Sequence, residues 1–80
     1  MNRDLARHIA TTAIEASTQL TSLLPLLKGH CDPAEYASQA RSIASVGGHI
    51  TREILHPIFA EHPDLETELE ESIKKYGKVL

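Results

Sequence analysis

Apolar residues recur every three or four positions from Leu5 to Leu27. Leu5, Ile9, Ala13, Ala16, Leu20, Leu24 and Leu27 mark one face of a helix expected over about residues 2–28. Arg7, Thr11, Glu15, Thr18 and Ser22 lie largely opposite. Asn2 is placed to cap the start, because its side-chain oxygen can accept an otherwise unpaired helix amide. Gly29 follows Lys28 and predicts the stop, since glycine accepts the left-handed conformation and lysine favours the negative end of a helix. Pro25 interrupts the run: it has no amide hydrogen for residue 21 and its ring crowds that carbonyl. A bend between Thr21 and Leu24, or an end followed by a short extra turn, is therefore expected, the bend favoured because the flanking leucines still seek burial.

The second segment has the clearest start. Asp32 is a cap, Pro33 suits the first helical position, and Glu35 can reach back to the cap amide. Cys31 and Tyr36 then occupy the two positions of a hydrophobic staple. Tyr36, Ala40, Ile43, Gly47, Ile50, Ile54 and Ile58 trace one face of a helix over about residues 33–60, broadened by Ala37, Ala44, Val46 and Leu55. So wide an arc predicts a central helix touching more than one neighbour. Gly47 and Gly48 weaken its middle, but the apolar spacing runs through them and favours one continuous helix. Pro57 is expected to bend its last turn.

Pro63 opens a third helix over about residues 63–77, with Asp64 and Glu66 in the first turn where negative charge is favoured. Its narrow face is Leu65, Leu69, Ile73 and Tyr76, continued by Leu80. Short links make sequential helices antiparallel. The pattern predicts an all-α fold, a three-helix antiparallel bundle occupying residues 1–80 as a single domain.

Size changes this picture. A chain of 80 residues buries only about 60% of the surface its unfolded form exposes. Hydrophobic residues make up 41% and aromatic residues 4%, so the core is lean. Completion of the bundle by homo-oligomerisation follows as an expectation. Ile14 and Leu26 fall outside the stripe of the first helix, and the second helix has more apolar face than the narrow third can cover. Ile14, Leu26, Ala40, Ala44, Gly47 and Ile50 are accordingly the candidate interface, with the small residues permitting close approach. The partner expected is the chain itself, as a homodimer or higher oligomer, or another protein.

Charge and cysteine content narrow the alternatives. The net charge is −3, and the eight basic residues form no stripe, which argues against nucleic acid. The acidic run from Glu61 to Glu71 reads as a solvated face that could complement a basic partner. A lone Cys31 cannot form an intramolecular disulfide, consistent with a reducing, cytoplasmic setting. No apolar run approaches the roughly 20 residues of a membrane span, and no leader-like segment opens the chain.

Candidate chemistry is sparse. His49, Glu53 and His56 share a helical face and could present two imidazoles and a carboxylate to zinc or iron. The Glu53 and His56 spacing matches half of a bundle di-iron motif, but the second such pair is absent. Exposed histidines also permit pH-dependent contacts or phosphoryl relay, and the bent ends near Pro25 and Pro57 could leave a small cleft. No nucleophile with an adjacent base and no phosphate-binding glycine loop is apparent. The sequence therefore favours a non-enzymatic helical interaction or assembly module with no catalytic residues and no cofactor. The alternative is a metal-binding helical protein using His49, Glu53 and His56.

Overall fold

A computed structural model describes residues 1–79, so Leu80, expected to continue the third helix face, lies outside the described residues. The described residues form helices and short links without strands, in the order α1 (Arg3–Thr21), α2 (Leu23–His30), α3 (Pro33–Ile50), a π-helical turn (Thr51–Leu55), α4 (His56–Glu61) and α5 (Pro63–Tyr76). These make three rods. The first is α1 with α2, the second runs from α3 through the π-turn to α4, and the third is α5.

The joints follow from the residues that build them. Asn2 accepts the Leu5 amide at 2.8 Å and starts α1. The break at Ser22 falls where Pro25 removes a donor, and Ser22 keeps right-handed helical angles, so the rod is bent rather than ended. Gly29 does not terminate it. The helix continues to His30 and stops at Cys31, whose extended backbone leads directly into the next cap. There Asp32 accepts the Glu35 amide at 2.8 Å while Glu35 accepts the Asp32 amide at 3.2 Å, completing the capping box. The glycine that does take a left-handed conformation is Gly77 (φ 75°), which closes α5 by donating to the Ile73 carbonyl at 2.8 Å.

Pro57 acts on the second rod in an unexpected way. Instead of a simple bend, the backbone widens into a π-turn over Thr51–Leu55, with the His56 amide reaching back to the Thr51 carbonyl. In an α-helix the Pro57 ring would press on the Glu53 carbonyl four residues earlier, and the wider turn relieves that contact. Gly47 and Gly48 lie just before it, and their carbonyls share the Thr51 amide. The rod thus remains continuous through the glycines, but the faces of residues after 50 are rotated relative to a strict α register.

The first and second rods lie antiparallel, since the Met1 ammonium meets Glu61 at 2.8 Å while α2 packs beside α3 near the connecting turn. The third rod starts beside the start of α1. Arg3 pairs with Asp64 at 2.7 Å and Glu68 at 2.6 Å, and Arg7 with Glu68 at 3.0 Å. Further along, Ile14 and Thr18 share a depression with Ile73 and Val79, so α5 travels in the same direction as α1. The acidic face of α5 thus meets basic residues of its own chain.

Length decides what α5 can cover. The molecule extends 45 Å along its long axis. A helix of 14 residues spans about 21 Å at 1.5 Å per residue, less than half of that. The core is correspondingly confined to one end: Ala6, Ala10 and Ala13 of α1, Leu55 and Ile58 of the second rod, Leu65 and Leu69 of α5, and Val79. No residue of α2 or α3 is buried. The second rod does touch more than one neighbour, as its wide apolar arc suggests. It meets α1 and α2 through α3 and the π-turn, and α5 through α4, but among its described residues only Leu55 and Ile58 are buried. The small residues of α1 carry the contact instead, because they let the leucines of α5 and the second rod approach closely.

Candidate interaction surface

Helix α5 lies on one side of the layer formed by the first two rods, and the other side is bare. An open groove of about 430 Å³ runs there, lined by His8, Ile9, Thr12, Ala13 and Ala16 of the first rod and Ile50 and Ile54 of the second. Helical spacing extends it in both directions. Leu5 precedes Ile9 by one turn, while Leu20 and Leu23 continue the row beyond Ala16; Val46 and Ile43 continue the row of Ile50. Leu5 is 49% exposed, Leu23 42%, Val46 47% and Ile54 37%, whereas Ile9, Leu20, Ile43 and Ile50 are half-buried. None of these positions carries charge.

The expected apolar stripe of the first helix is only partly the one the chain buries. Ala13 enters the core and Ile9 packs against it, whereas Leu5 and Ala16 are exposed and Ala6 and Ala10, beside the stripe, are fully buried. A signal for the docked edge of α1 was present in the sequence. Arg3 and Arg7 are four residues apart on α1, and Asp64 and Glu68 are four apart on α5, which is the spacing needed to dock the two helices along that edge. Leu23, Val46 and Ile54 are the exposed groove residues that the sequence pattern did not single out as interface.

The candidate interface residues are distributed over several surfaces. Ile14 is half-buried, packs on the core and lines depressions on the α5 side. Leu26 is exposed, Ala44 is exposed, and Ala40 and Gly47 are half-buried along α3. Ile50 lies in the groove. A Cβ added at Gly47 meets nothing within 4 Å, so no close helix approach within the chain requires this glycine. Cys31 and Tyr36 are both half-buried, and Cys31 lines a shallow hollow with Leu27, Ala34 and Ser38. Pro25 lines an open depression with Ile14, Thr51 and Leu55, but Pro57 is not part of it.

His49, Glu53 and His56 are all exposed. The π-turn separates His49 from His56 and alters their angular relation. Among the described residues, no three histidine, cysteine or acidic side chains form a group that could hold a metal ion. The Arg52 guanidinium lies 3.4 Å from His49 Nδ1 and would oppose a cation there.

The resolved electrostatics belong to the packed end and to the caps. Hydrogen bonding from Arg3, then from Arg7, holds the Glu68 carboxyl below its ordinary pKa. Arg3 does the same for Asp64, and the chain's ammonium group for Glu61. His62 Nε2 lies 3.0 Å from the Met1 carbonyl oxygen, adding a further contact beside that pair. These contacts fasten α1 to α4 and α5; none reaches the groove. No helix is long and apolar enough to cross a membrane among the described residues. No protein-family model, curated protein or solved structure matches the chain.

Proposed function

We propose that this chain is a non-enzymatic assembly module: an antiparallel helical bundle left incomplete at one end and completed by association with itself. The single observation that supports this reading is the confinement of the buried core to one end, while α2 and α3 contain no buried residue. Two helices exposing leucine, isoleucine and valine over that length are poorly covered by water, and burial of such side chains is worth roughly 1.5–3 kcal/mol each. A partner supplying apolar surface would contribute what α5 is too short to provide.

The global dimensions support the same reading. The radius of gyration is 14.6 Å, against about 12 Å for a compact domain of this length. Sedimentation velocity or light scattering at micromolar concentration tests the proposal. The expected species has at least twice the mass of the 8.8 kDa chain; a monodisperse monomer up to about 100 μM, where a dimer stabilised by even −5.5 kcal/mol would be substantially formed, would remove it.

A further inference from the structure

We infer that the chain carries a built-in hinge between its packed end and the α2–α3 arm, at which both long rods yield together. A hinge of this kind is a property of the single chain, with or without assembly. The two rods are interrupted for independent reasons, yet the interruptions border one space. In the first rod α1 ends at Thr21, and Ser22 supplies no side-chain cap to α2, whose third residue is Pro25. In the second rod Gly47 and Gly48 lead into the π-turn over Thr51–Leu55. An open depression of about 460 Å³ is lined by Thr21, Ser22 and Pro25 on one side and by Thr51 and Leu55 on the other.

Hydroxyl groups loosen the same stretch. Thr18 Oγ1 donates to the Ile14 carbonyl at 3.0 Å, Thr21 Oγ1 to that of Ser17 at 2.9 Å and Ser22 Oγ to that of Gln19 at 2.6 Å. In the second rod Thr51 Oγ1 donates to the Gly47 carbonyl at 3.1 Å. A hydroxyl bonded back to a helical carbonyl competes with the backbone amide for it and favours bending. Proline, a glycine pair and a π-turn are further sources of helix kinks, and all three stand here. Burial falls away across the same line: past Ala13 in the first rod and before Leu55 in the second, no residue is buried. Little packing therefore opposes the motion, as in segments that open at low free-energy cost. The depression gives the arm room to swing. Stiffening can be applied cleanly at Gly47 and Gly48, since a Cβ on either meets nothing within 4 Å.

Spin labels on exposed positions read the motion directly. In a Cys31→Ser background, labels on Lys28→Cys and Glu71→Cys span the arm and the packed end. Labels on Asp4→Cys and Glu71→Cys lie within the packed end, and labels on Lys28→Cys and Ser45→Cys within the arm. Labelled chains are diluted into unlabelled ones, so that pulsed dipolar spectroscopy records only distances within one chain. Frozen samples retain the spread that hinge motion explores, and the spanning pair should be about twice as broad as either internal pair. Gly47→Ala with Gly48→Ala, or Pro25→Ala, should narrow the spanning pair toward the internal widths. Helical circular dichroism should match or exceed the parent's, because each substitution raises helix propensity. A spanning pair no broader than the internal ones would overturn the hinge, as would a broad one that neither variant narrows. An arm pair as broad as the spanning pair would also overturn it, because the arm would then fray instead of swinging as a unit.

Discussion

The packed end and the α2–α3 arm are built from the same helical periodicity, yet only one of them closes. At the packed end, three alanines of α1 receive Leu55, Ile58, Leu65 and Leu69, and a set of ion pairs locks the edge. In the arm, Leu24, Leu27, Tyr36, Ala40 and Ile43 stop at partial burial, because two helices alone have an inner seam but no third element above or below it. The difference lies in reach and not in composition. A third helix of 14 residues ends about halfway along rods of twice its length. Apolar spacing identifies a face that wants burial; it does not say whether the same chain can supply the cover.

Truncation of equivalent side chains should expose this contrast most sharply. Leu65→Ala removes a fully buried side chain and should cost about 2–5 kcal/mol by chemical denaturation. Leu23→Ala in the arm, measured at concentrations low enough to keep the chain monomeric, should change stability by no more than about 0.5 kcal/mol. Similar losses at the two sites under those conditions would erase the distinction between the regions.

Next in size is the cap that starts the arm's second helix. Asp32→Ala removes both the Glu35 amide acceptor and the reciprocal capping box, and should cost about 1 kcal/mol of stability. The loss should appear as increased amide exchange in the first turn of α3, with the packed end unchanged. Uniform exchange gains throughout the chain would instead mean that the arm and the core unfold as one unit.

Acid should act on the other region. Asp64 and Glu68 have folded pKa values held below their ordinary 3.8 and 4.5 by Arg3 and Arg7. A carboxylate depressed in the folded state contributes stability above its unfolded pKa and loses it as pH falls through the folded value. Thermal stability should therefore decline modestly below about pH 4.5, since exposed pairs are screened by water. Arg3→Ala should flatten the part of that decline due to its pairs with Asp64 and Glu68. An unchanged pH profile in the variant would mean that these pairs do not hold α5 in solution.

Much of the fold was legible because local chemistry dictated it. Asn2, Asp32 with Glu35, and Pro63 each mark a helix start through groups that only a helix end leaves unpaired. The break at Ser22 was legible from Pro25. The π-turn was not, because Pro57 forbids one backbone contact without dictating how the chain avoids it. The helix stop at Gly29 failed because the extended Cys31 and the Asp32 cap make a terminus two residues later, so no left-handed residue is needed. On α1 the sequence showed two adjacent rows, one of large residues and one of alanines. Which of them turns inward is set by packing against the second rod, and the ion pairs of Arg3 and Arg7 with Asp64 and Glu68 lie along the neighbouring edge. Leu5, Val46 and Ile54 looked like core for a different reason: their side of the first two rods lies away from α5, and apolar spacing does not say which side the chain covers.

Hydrogen exchange measured across a dilution series tests the central claim most directly. At high concentration the amides of α3 and of the Leu20–Leu27 stretch should be protected nearly as well as those around Ala10 and Leu69. On dilution to the monomer, protection should collapse first in the arm, by at least tenfold in exchange rate, and remain at the packed end. Equal protection of arm and core in a chain that stays monomeric at every concentration would contradict the account.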